Sequence, residues 1–242
     1  MDWARHRREA HQLSHAQEYV KQIVYGGNDG IVTTFAIVAG FAGASAGDGI
    51  AMIGGLAVLV FGLANLFADA VSMGLGEFLS GRAQHDLYHN RRQLELREIA
   101  ENPGHERDEL EVILRQRGLS DGDAHAAAEI MVHHPSIMAD LMMTYEFGMH
   151  DPAEDNPAIN GLVTFFSFVL FGAVPLLPYF FFEASPRIFW YSVIATFSAL
   201  AALGLLRWRT TGEKLLRTLG ETIAVGAACA LVAYLVGLLV SG

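Results

Sequence analysis

The apolar residues of this 242-residue chain are clustered into five stretches rather than spread evenly. The stretches cover roughly 30–46, 50–79, 158–182, 188–206 and 221–240. A membrane-spanning helix needs about 20 largely apolar residues, so all five are candidates, although the first is short and contains Thr33 and Thr34. The pattern predicts an all-α integral membrane protein with five transmembrane helices and a soluble helical domain between the second and third.

The same pattern divides the chain into four segments. Residues 1–22 are polar and charged, and they predict an amphipathic N-terminal segment that lies on the membrane surface. Residues 23–79 hold the first two transmembrane helices, 80–157 the soluble domain, and 158–242 the last three transmembrane helices.

Breakers and caps predict the helices of the soluble domain. The second transmembrane helix is expected to continue through Glu98 to the Asn-Pro-Gly break at 102–104. A second helix is expected to stop at Gly118, and a third to begin at a cap on Asp121. Pro135 suits the first turn of a fourth helix, which would run to about residue 149.

The charged residues predict an orientation. Fifteen of the 16 lysines and arginines fall on one side of a five-span arrangement, and basic residues favour the cytoplasmic side. The N-terminus and the soluble domain are therefore expected in the cytoplasm and the C-terminus outside. The predominance of arginine over lysine favours a bacterial source and hence the bacterial inner membrane. The net charge of −10 is a property of the soluble part, and no nucleic-acid partner is expected. The single cysteine, Cys229, excludes an internal disulfide.

Polar residues recur at steps of four in the second apolar stretch, where such groups are costly and usually functional. They form a slowly winding stripe on one side of the helix, and small residues accompany them, so the stripe is expected to face another helix or a cavity. The stripe consists of Asn65, Asp69, Met73 and Glu77. A hydrogen bond to a neighbouring helix is the alternative role for Asp69. Asp29, at the expected start of the first apolar helix, is either an N-cap or a functional carboxylate.

Pairs of glutamates recur in the soluble domain. Each pair lies three residues apart and shares a helix face, and the break between them allows the pairs to meet. A methionine and a further glutamate, four residues apart, follow on a later helix. The set is Glu95, Glu98, Glu106, Glu109, Met142 and Glu146. Oxygen ligands with one thioether suit Fe²⁺, or Mn²⁺, Co²⁺ or Zn²⁺, better than Mg²⁺ or Ca²⁺. The alternative is a solvated face whose glutamates pair with Arg92, Arg97 and Arg107.

Several histidines could also bind metal. His11 and His15 stand four residues apart, and His85 and His89 do the same. For the N-terminal pair, a solvated or interfacial face is the alternative, and the sequence does not decide between these roles.

The chain resembles the vacuolar iron transporters of yeast and plants and their bacterial relatives over nearly its whole length. The resemblance rests on Asn28-Asp29-Gly30, on residues 72–76 (Ser-Met-Gly-Leu-Gly), on the doubled Glu-x-x-Glu and on Met142-x-x-x-Glu146. It implies five membrane helices per subunit, a cytoplasmic metal-binding domain, and a homodimer with the ion path between subunits.

The resemblance also implies roles for individual residues. Asp29 and Met73 look like the membrane ion site, and the five glutamates with Met142 look like the cytoplasmic metal site. The family often has a glutamate where this chain has Asn65, so Asp69, one turn later, is the candidate replacement in proton coupling.

Together these features predict a proton-coupled antiporter that exports Fe²⁺ from the cytoplasm and acts in iron homeostasis. Mn²⁺ and other divalent transition metals are candidate second substrates. The predicted partners are a second copy of the chain, the bilayer, metal ions and protons, without a prosthetic group. A membrane-tethered di-iron oxidase is one alternative, but Glu-x-x-His motifs are absent from the sequence. A metal-sensing membrane scaffold is the other, and the polar stripe argues against it.

Overall fold

A computed structural model describes residues 15–44, 54–182, 185 and 187–241. All regular structure in these ranges is helical, and the chain forms two compact units. One unit comprises 1–78 and 158–242, and the other comprises 79–157. We refer to them as the apolar unit and the acidic unit. His11 lies outside the described residues, as does most of the predicted N-terminal segment.

Within the described ranges, six helices longer than a single turn contribute to the apolar unit. Their bounds are α1 Val20–Ala44, α2 Gly54–Glu101, α6 Pro157–Gly172, α7 Leu177–Phe181, α8 Arg187–Thr211 and α9 Leu215–Ser241. A single helical turn, His15–Glu18, precedes α1. Helix α2 has 48 residues, and its N-terminal half belongs to this unit while its C-terminal half belongs to the acidic unit.

Helix α1 differs from its prediction because it begins ten residues early and runs through the glycine-rich segment without interruption. Glycine is unfavourable inside a helix by about 1 kcal/mol relative to alanine. Here it allows close packing: a Cβ atom at Gly26 would lie 2.7 Å from the carbonyl oxygen of Thr164, and one at Gly30 would collide with that of Phe168. Small residues permit such approach between membrane helices. Asp29 therefore lies in the middle of α1, and the N-cap interpretation is wrong.

Four helical stretches of the described residues are long and apolar enough to cross a membrane. They are Gly55–Glu101, Pro157–Phe181, Ile188–Thr211 and Leu215–Leu239. Helix α1 is not among them, although it packs closely against α9, where Gly43 and Gly237 meet backbone atoms of the opposite helix. An all-helical membrane protein with four such stretches is therefore supported, and the fifth span, the one with Thr33 and Thr34, stays a prediction.

The third predicted span is not one continuous helix. A 3₁₀ turn, Val174–Leu176, separates α6 from α7. Pro175 and Pro178 cause the break, because proline has no N–H to donate and its ring clashes with the preceding turn. The side chain of Ser192 on α8 donates a hydrogen bond to the carbonyl oxygen of Pro175 at 2.6 Å, so one carbonyl exposed by the break has a partner.

The acidic unit consists of the second half of α2 and three shorter helices. These are α3 Pro103–Gln116, α4 Asp121–Met131 and α5 Pro135–Tyr145, followed by a 3₁₀ turn, Pro152–Glu154. Gly118 follows α3 with a φ angle of 106°, which glycine adopts without the penalty that a Cβ atom would impose. The N-cap of α4 is Ser120, whose hydroxyl accepts a hydrogen bond from the N–H of Asp123 at 3.2 Å. The prediction of Asp121 as the cap was wrong by one residue.

A small apolar core holds the acidic unit together. It contains Ile99 of α2, Leu110 of α3, Ala128 of α4, and Met138 and Met142 of α5, each at most 3% exposed. Each helix of the unit thus buries one apolar stripe against the others. This packing fixes which residues of α2, α3 and α5 point toward one another.

Candidate ion-binding sites

Polar side chains lie along α1 and α2 within the apolar unit. The amide Nε2 of Gln22 donates a hydrogen bond to Oε1 of Glu77 at 3.1 Å, and Asp29 and Asp69 are near enough for their charges to repel. The sum of the two residue numbers is nearly the same for the Gln22–Glu77 pair and the Asp29–Asp69 pair. This is expected for contacts between two antiparallel helices. We call this arrangement the polar ladder. It brings Asp29 and Asp69 together, which their separation in sequence did not reveal.

The other members of the predicted stripe belong to this region. Asn65 Nδ2 donates to Asp69 Oδ2 at 2.6 Å, so the recorded hydrogen bond of Asp69 is to its own helix and not to a neighbouring one. Met73 packs against Leu66, Ala70 and Phe168. Asn65, Asp69, Met73 and Glu77 are all half-buried. The stripe therefore borders the packed interior and keeps an accessible edge.

The small residues of α2 divide between two faces. Gly62 and Gly74 lie inside, since a Cβ atom at Gly74 would be 2.9 Å from the carbonyl oxygen of Gly161. The residues of the other face are exposed and recur at steps of four: Ala64, Ala68, Ser72 and Gly76. This exposed face, the small-residue face, lies directly beside the polar stripe.

A cleft of about 510 Å³ between α2 and α6 differs from the polar ladder in character. It is lined by Val71, Gly74, Leu75, Phe78, Ala158, Gly161, Leu162 and Phe165. Because these side chains carry no ligand for a cation, the cleft is not an ion site.

The acidic unit gathers all five predicted glutamates in one region. Glu95 on α2 is 1% exposed and Glu106 on α3 is 6% exposed. Glu98, Glu109 and Glu146 surround them closely enough to act on their ionisation. Glu146 lies just after α5, and its N–H donates to the carbonyl oxygen of Met142. The break at Pro103 and the packing of α5 thus bring together carboxyl groups from α2, from α3 and from the end of α5.

The environment of this cluster disfavours negative charge. Burial, the charges of Glu106 and Glu146, and a hydrogen bond to Glu106 raise the pKa of Glu95 to about 8. Burial and the charge of Glu109 raise the pKa of Glu106, and partial burial with the same neighbour raises that of Glu146. Oε1 of Glu95 is buried without a hydrogen-bond partner. A cation or protons must compensate such a cluster.

Arg92 and Arg107 do not supply that compensation, although the charge of Arg91 lies near enough to Glu146 to oppose the rise in its pKa. Arg92 bonds Asp140 at 2.7 Å, and Arg107 bonds Asp108 and Glu129 at 2.6 and 2.7 Å. Neither pairs with a member of the cluster. These ion pairs instead connect helices, since Arg92 also donates to Ser136 and so joins α2 to α5. The alternative interpretation is therefore wrong for Arg92 and Arg107, and for Arg97 it stays a prediction.

The cluster is not arranged as a ready-made ligand shell. Among residues 15–44, 54–182, 185 and 187–241, no group of three or more His, Cys, Asp or Glu side chains is placed to hold a metal ion. Met142 is fully buried in the apolar core of the acidic unit, where methionine commonly fills space. The ligand roles of Met142 and the five glutamates therefore stay predictions.

The raised pKa values predict how the stability of the acidic unit depends on pH. An ordinary glutamate has a pKa of 4.5 and the folded Glu95 has one of about 8, so between these values the folded state holds a proton that the unfolded chain has lost. When a chelator keeps metal away, the free energy of unfolding of the acidic unit should therefore fall by a few kcal/mol as pH rises from 4.5 to 8. Glu95→Gln should remove most of that fall.

Hydrogen exchange of the full-length protein measures this effect. Peptides containing Leu110 and Met138 report opening of the core, and comparing variant with wild type at each pH cancels the intrinsic pH dependence of exchange. Glu111→Gln is the control, because Glu111 pairs with His125 at 2.9 Å away from the cluster. Equal pH dependence in wild type and Glu95→Gln would contradict the prediction.

The described features define an α-helical integral membrane protein with polar groups between its helices and a separate, carboxylate-rich unit. The model of the VIT family matches residues 20–238 of the chain. This match covers most of the sequence, and the chain therefore belongs to the VIT family.

Similar proteins support the same assignment. Vacuolar iron transporter 2 of Oryza sativa subsp. japonica is 32% identical over 219 residues, which cover 90% of this chain and 86% of the relative. Vacuolar iron transporter 1 of Arabidopsis thaliana is also 32% identical, with 90% and 85% covered. The vacuolar iron transporter of Toxoplasma gondii is 33% identical, with 92% and 74% covered. These names indicate a transporter rather than an enzyme.

The relatives correct the predicted location. The expectation of a bacterial inner membrane is wrong, since the similar proteins named above come from plants and a parasite and are named for the vacuole. Arginine content reflects genome composition, and basic loops indicate one side of a membrane without identifying which membrane it is. Neither feature carries information about the compartment.

Proposed function

We propose that this protein transports Fe²⁺, and also Mn²⁺, across a membrane and out of the cytoplasm in exchange for protons. The observation that carries the proposal is the juxtaposition of Asp29 and Asp69 on two packed helices of the apolar unit. Two neighbouring carboxylates whose charges repel are stabilised when a cation or a proton lies with them. A site that alternates between the two is the minimum requirement of a metal–proton antiporter.

Ligand chemistry supports the choice of ion. The proposed membrane site combines the carboxylates of Asp29 and Asp69 with the thioether of Met73, and a soft ligand beside hard oxygens favours transition metals over Mg²⁺ and Ca²⁺. Asn65 holds Asp69 through its 2.6 Å hydrogen bond and carries no proton itself. We therefore assign the coupling role to Asp69, with Glu77 further along the same stripe.

The acidic unit is proposed to collect the ion before transport. Glu95, Glu98, Glu106, Glu109 and Glu146, with Met142, are the proposed ligands, and the acidic unit is proposed to face the cytoplasm within a five-span arrangement. Because a carboxylate must lose its proton to bind metal, the raised pKa values make binding stronger as pH rises. Iron in this scheme is the transported substrate, not a prosthetic group.

Transport into proteoliposomes tests the proposal. Uptake should be measured for Fe²⁺, Mn²⁺, Co²⁺, Zn²⁺ and Ca²⁺ with the lumen acidic, and again after a protonophore removes the gradient. We expect uptake of Fe²⁺ and Mn²⁺ that depends on the gradient, and none of Ca²⁺. Oxidation of Fe²⁺ without uptake would favour the oxidase, and metal binding without uptake would favour the sensor.

The small-residue face of α2 favours a homodimer. Ala64, Ala68, Ser72 and Gly76 form repeated small-xxx-small spacing on an exposed face of a membrane helix, which is typical of close helix–helix contact. A two-fold axis is the commonest way to close such a contact. The polar stripe borders this face, so a second copy would cover the accessible edge of Asp69 and Met73.

Cysteine crosslinking in a Cys229→Ala background tests the dimer. Ala68→Cys and Ser72→Cys should form disulfide-linked dimers in membranes, and both should resist lipid-phase maleimides. Leu170→Cys is the control, because Leu170 is 68% exposed and belongs to α6 rather than α2. Labelling of Ala68→Cys as fast as Leu170→Cys, without crosslinking, would exclude this interface.

A further inference from the structure

The amide of Gln22 is only half satisfied. Gln22 is 7% exposed, and its Nε2 donates to Glu77 while its Oε1 is buried without a hydrogen-bond partner. Reversing the amide would place its oxygen against a carboxylate oxygen, so chemistry fixes this orientation. A buried acceptor without a donor is unfavourable and rare in folded proteins. The carbonyl oxygen of Gln22 therefore requires a partner that is a donor or a cation.

The position of this oxygen suggests which partner it has. Gln22 lies seven residues before Asp29, which is two turns of α1 on one face, and Glu77 lies eight residues after Asp69 on α2. The Gln22–Glu77 pair thus repeats the Asp29–Asp69 pair two turns along the polar ladder. One carboxylate and one amide oxygen are ligands that divalent cations accept.

A lysine lies beside this pair. Nζ of Lys21 is 3.9 Å from Oε1 of Glu77, and its side chain is 76% exposed. An exposed ion pair at this distance is weak, so Lys21 can leave when a divalent cation arrives. It also provides a positive charge for Glu77 between transport events.

We propose that Gln22 and Glu77 form a second divalent-cation station on the polar ladder, which holds the ion before or after the Asp29–Asp69 pair. This rests on the proposed transport function. Glu77 supplies the charge, and the amide oxygen of Gln22 supplies a neutral ligand that leaves the ion bound weakly enough to move on. Residue 22 then sets the affinity of this station.

Two variants of Gln22 with opposite expected effects provide the test. Gln22→Leu removes the ligand, and Gln22→Glu adds a second carboxylate, so the KM for Mn²⁺ transport should rise about tenfold in the first and fall about tenfold in the second. The kcat should stay near wild type in Gln22→Leu and fall in Gln22→Glu, because the ion leaves a more negative site slowly. Gln93→Leu, the same change at an exposed position of α2, should alter neither parameter.

Binding of Mn²⁺ separates this inference from the proposed function. Electron paramagnetic resonance of the full chain carrying Glu95→Ala and Glu106→Ala counts the Mn²⁺ ions held outside the acidic unit. Gln22→Leu should lose one weakly bound ion, and Gln22→Glu should bind it more tightly, which a misfolded protein would not do. If both variants bind Mn²⁺ and have a KM for Mn²⁺ as in the wild type, the proposed second cation station is wrong, whereas the proposed transport function is unaffected. Absence of transport with the expected Mn²⁺ counts would overturn the proposed function alone.

Discussion

Asp29→Asn should reduce metal uptake by more than about tenfold, corresponding to a loss of at least 1.4 kcal/mol at the rate-limiting barrier. Asparagine has the size of aspartate but can neither ionise nor carry a proton. The hydrogen bond that Thr33 donates at 2.8 Å goes to the backbone oxygen of Asp29, so the substitution leaves it in place. The variant should therefore fold, reconstitute and bind metal in its acidic unit as the wild type does.

Initial rates in proteoliposomes, with metal binding in detergent measured on the same preparation, check this result. Asp86→Asn is the matched control, because Asp86 is an exposed residue of the acidic unit. Asp69→Asn adds a second comparison, since it should lose the dependence of uptake on the pH gradient. If Asp29→Asn transports at the wild-type rate, the proposed membrane site is wrong. If metal uptake by Asp69→Asn still depends on the pH gradient, proton coupling depends on Asp29 or Glu77.

The second large effect concerns the acidic unit. Glu95→Ala combined with Glu106→Ala should lower the affinity of this unit for Fe²⁺ or Zn²⁺ by more than about 100-fold, because loss of a residue that only supports a ligand costs about 10–100-fold. These two carboxyl groups are the most deeply buried members of the cluster. Transport by the same variant should slow without stopping, since the acidic unit concentrates the ion and the membrane site moves it.

Calorimetry on the full-length protein measures the change in affinity. The control is Glu111→Ala with Glu129→Ala, which removes the same charge from the same unit but from residues that pair with His125 and Arg107. Its affinity should stay near wild type. Equal losses in the two double variants would mean that the unit attracts metal only by its net charge, and an unchanged affinity in Glu95→Ala with Glu106→Ala would remove these residues from the site.

Sequence patterns determined much of the helical organisation. The apolar stretches located the four helical stretches that are long and apolar enough to cross a membrane, and the Asn-Pro-Gly sequence at 102–104 and Gly118 ended helices where predicted. These features depend on local chemistry: proline lacks an N–H, glycine tolerates a positive φ angle, and a span needs a minimum number of apolar residues. The spacing of the glutamates also indicated which residues share a helix face.

Tertiary structure alone decided how those faces meet. Nothing local distinguishes Glu95 and Glu106 from Glu98 and Glu109, because burial depends on how α3 and α5 pack against α2. Asp29 lies within a helix because glycines 26 and 30 pack against the backbone of α6, which local propensity could not anticipate. The contact between Gln22 and Glu77 joins residues 55 positions apart. Helix propensity and hydrophobic periodicity act over a few residues, whereas the register between helices is set by the side chains of both partners together.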